Sequence, residues 1–145
     1  MQPVDHFTKE QQKQIVDAIK LAEHNTSGEI RVRIEKSCKK DVLDRAADVF
    51  ALLRMHKTKL RNGVLFYLSY EDHRFAILGD AGINAKVPDD FWESTRNMML
   101  DYFKSGNLTE GLVKGILMAG EKLKEYFPYQ KDDINEISDS ISFGK

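Results

Sequence analysis

Asn62-Gly63-Val64-Leu65-Phe66-Tyr67-Leu68, followed after the polar turn Glu71-Asp72-His73 by Phe75-Ala76-Ile77-Leu78-Gly79-Asp80, is the stretch that decides the fold. Val64 to Leu68 is apolar at every position, the pattern of a central strand covered on both faces. Phe75 to Leu78 reads as the returning arm of an antiparallel hairpin. Upstream, Glu29 to Lys36 alternates. Ile30, Val32 and Ile34 point one way; Glu29, Arg31, Arg33 and Glu35 point the other. That strand is predicted to be half-buried, with its charged face at a sheet edge or on a wetter side. Val42, Ala46, Val49, Phe50 and Leu53 lie between the two strands at helical spacing. A helical connection implies a parallel pair with a right-handed crossover.

Helices account for most of the remaining apolar residues. Thr8 and Gln11 form a capping box ahead of Ile15, Ala18, Ile19 and Ala22. Asn25-Thr26-Ser27-Gly28 stops that helix. Pro88-Asp89-Asp90 is expected to open a third helix, with Asp90 and Glu93 as its capping pair. Asn107 and Glu110 are expected to cap a fourth, whose apolar face is Leu112, Ile116, Ala119 and Leu123. Gly111 and Gly115 on that helix each cost roughly 1 kcal/mol against alanine, so a close backbone contact is expected there. The sum is an α/β chain: a three-layer α/β/α sandwich, Rossmann-like, with a small mixed sheet containing a parallel crossover and an antiparallel hairpin. Residues 1–128 form one domain, and 129–145 a mostly irregular, acidic C-terminal tail.

Composition narrows the function. A chain of 145 residues with 41% hydrophobic and 31% charged residues is ordinary for one globular domain. A net charge of −1 gives no general attraction to nucleic acid. The lone Cys38 excludes an internal disulfide and a cysteine zinc cluster. No apolar run is long enough to span a bilayer, and the first residues do not read as a leader. A cytoplasmic location is the expectation. The P-loop, the Gly-x-Ser-x-Gly elbow and the His-Glu-x-x-His signature are all absent.

Four polar phrases border the apolar runs: Ser27-Gly28-Glu29, Arg61-Asn62-Gly63, Gly79-Asp80-Ala81-Gly82 and Pro88-Asp89-Asp90. Parallel strands one and two begin at one rim, and the reversed third strand ends there. Topology therefore brings Glu29, Asp80, Asp89 and Asp90 toward one edge. Hard cations take carboxylate, carbonyl and water oxygens, so these four are the candidate metal ligands for Ca²⁺, with Mg²⁺ second. Asn62, Gly63, Gly79 and Gly82 would shape the loops. Lys59 and Arg61, with Lys57, form a candidate anion-binding patch. Asp80 fits a turn bonded to its own backbone equally well, and Asp89 or Asp90 a helix cap. Ser37, Cys38 and Glu71-Asp72-His73 make a rival cluster at the opposite rim.

The phrases Thr26-Ser27-Gly28-Glu29-Ile30, Lys59 to Leu65, Ile77-Leu78-Gly79-Asp80-Ala81-Gly82-Ile83, Val87 to Trp92 and Phe103 to Leu112 together resemble the TPM domain. Asp132-Asp133-Ile134-Asn135-Glu136 looks like the tail of its short, soluble branch. The resemblance implies a compact α/β/α sandwich associated with divalent-metal binding, above all Ca²⁺. Some relatives are described as acid phosphatases of the thylakoid lumen, another as an auxiliary subunit of an acetylcholine receptor. Three functions follow as expectations. The first is a Ca²⁺-binding module with a binding or regulatory role. The second is a metal-dependent acid phosphatase, using the bases Lys57, Lys59 or Arg61 on phosphate. The third is a metal-free protein-interaction domain with an unknown protein partner.

Overall fold

The strand Gly63–Ser69 (β2) is buried at all seven positions and divides the interior into two cores. The computed structural model describes residues 2–130 and 135–144. Because strand side chains alternate, Val64, Phe66 and Leu68 enter one core while Leu65 and Tyr67 enter the other. Neighbouring strands Glu29–Glu35 (β1) and Arg74–Gly79 (β3) flank it, the first parallel and the second antiparallel. A short strand, Ser142–Phe143 (β4), pairs parallel to β1, giving the order β3-β2-β1-β4.

The larger core lies between the sheet and three long helices, Lys9–Glu23 (α2), Glu93–Lys104 (α5) and Leu108–Leu123 (α6). A short N-terminal helix, Pro3–His6 (α1), precedes them. Thr8 and Gln11 form the expected capping box on α2, with reciprocal bonds of 3.1 and 2.9 Å. Ile30, Val32 and Ile34 of β1 face this core. The smaller core, on the other face, is closed by Val42–Leu52 (α3) and the 3₁₀ turn Met55–Lys57. The result is the expected α/β/α layering, with α3 as the crossover between β1 and β2.

Four local expectations are corrected. Of the two placements expected for the charged face of β1, the sheet edge is excluded, because β4 pairs along its outer side. Its charged face is instead sheltered by the C-terminal segment: Arg31 donates to the Ser140 carbonyl at 3.0 Å and Arg33 to the Ser142 hydroxyl at 2.9 Å. The third predicted helix starts at Glu93 rather than at Pro88, leaving Asp89 and Asp90 in an exposed turn. Pro88 and Asp90 accept turn bonds from Phe91 and Glu93 there, a tighter chain reversal than a helix entry. Asn107 stands at the N-cap of α6 without a side-chain cap bond, because its amide turns back to the Ser105 hydroxyl at 3.1 Å. Gly79 ends β3 and Asp80 caps a short helix, Ala81–Asn84 (α4), in place of a glycine-rich turn.

The expected close approach at Gly111 and Gly115 is present. A Cβ on Gly111 would stand 2.5 Å from the Phe103 ring, and one on Gly115 would stand 2.4 Å from the Met99 sulfur. Helix α6 thereby packs directly on α5. The tightest glycine is Gly82, where a Cβ would stand 2.1 Å from the Leu60 carbonyl oxygen and 2.6 Å from that of Arg61. Those are backbone atoms and cannot swing away. Gly82→Ala should therefore cost about 2–3 kcal/mol by overpacking. Gly106 is the control: at φ +82 with open space around it, its alanine variant should lose only about 1–2 kcal/mol of backbone strain. Denaturant unfolding of both variants measures the difference, and equal losses would contradict the packing at Gly82.

Candidate functional site

The strand register fixes which polar groups share a rim. Glu29 pairs with Gly63, and Val64 with Gly79, so the Glu29, Asn62-Gly63 and Gly79-Asp80 phrases meet at the amino ends of β1 and β2. The Glu29 N–H donates to the Asn62 carbonyl at 3.1 Å, and Asn62 Nδ2 donates to the Ser27 carbonyl at 2.9 Å. Asn62 Oδ1 is buried and accepts no hydrogen bond among the described residues. Gly63 lies against Ile137 and the Met55 carbonyl, where a Cβ would approach each at 3.2 Å.

The predicted ligands are divided among other partners. Both carboxylate oxygens of Asp80 accept from Arg61, at 2.7 Å each, and one also caps the Ala81 N–H at 2.7 Å. Arg61 is thereby withdrawn from the anion patch. Lys59 is exposed, and its backbone N–H donates to the Glu136 carboxylate. Glu29 accepts the backbone N–H groups of Glu136 and Ile137, the latter at 2.7 Å, and so docks the C-terminal segment. Asp89 is exposed, and Asp90 lines a separate hollow with Phe91, Glu93 and Lys122. Among the described residues no three His, Cys, Asp or Glu side chains stand together as a ready-made ligand set.

Beside Glu29, a hollow of about 320 Å³ is lined by Glu23, Gly28, Glu29, Asn135 and Asp139. Glu23 closes α2, and Asp139 comes from the C-terminal segment. Glu23 accepts the Ile30 N–H at 3.0 Å. Burial pushes the Glu23 carboxyl up to about 9, a hydrogen bond with Asp139 pushes the same way, and the Ile30 N–H opposes them. A carboxyl held this high keeps its proton at neutral pH. Sequence reading missed the pair because Glu23 reads as an ordinary charged helix end and Asp139 as part of a polar tail.

The opposite rim holds a second unanticipated cluster. Glu35, the last residue of β1, accepts from Arg45 at 2.9 and 2.6 Å, from Arg33 at 3.0 and 2.7 Å, and from the Tyr67 hydroxyl at 2.5 Å. Burial pushes its carboxyl up, but hydrogen bonds from Arg45, Tyr67 and Arg33 outweigh this and hold it at about 2. Of the rival residues, Asp72 caps the Cys38 N–H and accepts the Ser69 hydroxyl at 3.1 Å. The buried Cys38 thiol donates to the Lys40 carbonyl at 3.1 Å. These bonds shape the loop after β1. The only early sign of the network was Glu35 and Arg33 on the charged face of β1.

With this geometry in place, the sequence profile of the TPM domain matches residues 1–122. The chain belongs to the TPM-domain family. It is similar to the BA42 protein of the psychrophilic bacterium Bizionia argentinensis, whose solution structure is 56% identical, covers 95% of each chain and superposes with a TM-score of 0.91. Two more distant structures share the fold. One is the N-terminal domain of a protein from P. gingivalis, at 20% identity, 85% and 80% coverage and TM-score 0.70. The other is the N-terminal domain of the cg2496 protein of Corynebacterium glutamicum, at 13% identity, 79% and 72% coverage and TM-score 0.64. No curated protein matches. Among the described residues of this TPM domain, no helix is long and apolar enough to cross a membrane.

The Glu35 network generates a prediction. Glu35→Gln leaves two half-buried guanidinium groups without their shared carboxylate, which should cost about 3 kcal/mol. The folded carboxyl titrates near 2, below its ordinary 4.5. Its contribution is therefore complete above pH 4.5 and lost as pH falls toward 2. Unfolding midpoints should drop over that window in the parent chain, and the Gln variant should show a shallower drop. Parallel acid profiles would contradict the network.

Proposed function

We propose that this TPM domain is a divalent-cation-binding module, with Ca²⁺ as the ion and Glu23 and Asp139 as the carboxylates that take it. The observation that carries this reading is that Glu23, whose carboxylate accepts the Ile30 N–H, and Asp139 line one hollow beside Glu29. Two acids forced together retain a proton where a hard cation would bind more strongly to both. Asn135 and Gly28 line the same hollow, together with Lys20 and His24, and Ca²⁺ accepts neutral amide and carbonyl oxygens alongside carboxylates and water. The buried, unpaired Asn62 Oδ1 on the same rim adds to the acceptor-rich character of this edge. Bound there, the ion would supply charge neutralisation and a cross-link between α2 and the C-terminal segment. Asp80 has a different role, as the partner of Arg61 and the cap of α4.

The titration of Glu23 gives the sign of the test. Its folded pKa lies at about 9, above the ordinary 4.5. Without cation, the stability it contributes is complete below pH 4.5 and is lost as pH rises toward 9. Saturating Ca²⁺ should remove that loss and release about one proton per ion at neutral pH. At a hundredfold excess over Kd the gain is about 2.7 kcal/mol, or about 5–10 °C in Tm. Glu23→Gln should abolish the Ca²⁺ response yet flatten the alkaline loss, since an amide mimics the protonated acid. Asp80→Asn should lower Tm and keep the Ca²⁺ increment. A Tm indifferent to Ca²⁺ in the parent chain, or an increment that survives Glu23→Gln combined with Asp139→Asn, would reject the assignment.

A further inference from the structure

At the carboxyl ends of β1 and β4, opposite the carboxylate pair, lies a hollow of about 710 Å³ lined by Arg33, Glu35, Lys39, Lys40, Arg45 and Phe143. Four basic side chains there face one carboxylate. Glu35 is already saturated by Arg33, Arg45 and Tyr67. Lys40 is paired with Asp48 at 2.7 Å, while Lys39 has no ion-pair partner among the described residues. Arg45 spends Nε and Nη2 on Glu35, leaving Nη1 for another acceptor. Arg31, next but one to Arg33 on the same face of β1, likewise has no carboxylate partner among the described residues. The wall therefore carries an excess of positive charge whose natural complement is an anion.

Topology points to the same place. The chain leaves β1 for α3 on one face of the sheet, and reaches β4 after α5 and α6, which cover the other face. The hollow lies outside the carboxyl ends of two parallel strands, β1 and β4, the end of the strands at which open α/β sheets bind ligands. The volume exceeds what an inorganic ion needs and suits a small organic molecule. Phe143 is only partly buried and offers an apolar wall. We propose that this hollow binds a small organic oxyanion, a carboxylate or a phosphoryl group held by Lys39 and Arg45 with its apolar part against Phe143. The site is independent of the cation-binding reading, which concerns the other rim.

The test is an amide-resolved titration of the full chain at constant ionic strength with phenylphosphonate, benzoate and inorganic phosphate. Saturable shifts are expected at Ser37 to Lys40 and at Gly144. Phenylphosphonate should bind about tenfold more tightly than inorganic phosphate, a difference of about 1.4 kcal/mol, because its ring buries apolar area. The ranking of phenylphosphonate against benzoate identifies the preferred head group. Lys39→Glu, at an exposed position, should weaken the binding by about tenfold or more with Tm unchanged. Shifts that stay linear with concentration, that centre on the amino-end rim, or that are unaltered in Lys39→Glu would overturn the proposal.

Discussion

Burial of β2 on both faces is the constraint from which the rest of the architecture follows. A strand with no solvated side needs a layer of helices above and below it. One face of β2 receives Val64, Phe66 and Leu68 and is covered by α2, α5 and α6; the other receives Leu65 and Tyr67 and is covered by α3. The two sides are unequal, because one helix cannot cover what three do. β1 feels that inequality. Its Ile30, Val32 and Ile34 belong to the large core, while Arg31, Arg33 and Glu35 project toward the thinly covered side. Charges there are neither fully solvated nor freely buried.

The C-terminal segment resolves this problem by pairing polar groups rather than adding apolar ones. Glu29 binds the backbone of Glu136 and Ile137, Arg31 the Ser140 carbonyl, Arg33 the Ser142 hydroxyl, and β4 continues the ladder to Phe143. Ile137 supplies one apolar anchor in the small core. Each bond involving an ion is stronger than its neutral counterpart, and of these charges Glu29 is the buried one, so its bonds to the segment matter most. The segment from Asn135 to Gly144 thus acts as a polar cover over the charged face of β1. Residues 131–134, which include the Asp132-Asp133-Ile134 portion of the tail motif, lie outside the described residues.

The sheet was legible in the sequence because its signals are local and periodic. Five consecutive apolar residues from Val64, strict alternation from Glu29 and a polar turn before Phe75 each specify strand type and order, and the helical crossover sets direction. The common rim of Glu29, Gly63 and Asp80 followed from that direction. What could not be read was which acid meets which base. Arg61 reaches Asp80 across 19 positions and Arg45 reaches Glu35 across 10, distances at which sequence spacing carries no information about side-chain contact. The Asp89-Asp90 turn failed for a different reason. A proline followed by acids fits a helix start and a tight turn alike, and packing of Phe91 and Trp92 into the core selected the turn.

The two rims of the sheet therefore differ in electrostatic character for structural reasons. At the amino ends, Arg61 neutralises Asp80, and Glu29 is bound to backbone N–H groups. That leaves Glu23 and Asp139 as the acids forced together there. At the carboxyl ends, two arginines converge on one glutamate, with lysines beside them. Opposite excesses at the two ends of one parallel pair are bridged by the same C-terminal segment, which contributes Asp139 to the acidic hollow and Phe143 to the basic one. Between the two hollows the segment is held to β1 by β4 and by its bonds to Arg31 and Arg33. A ligand in one hollow that changed how firmly the segment is held would change the affinity of the other by the same factor in both directions, because coupling between two sites is reciprocal.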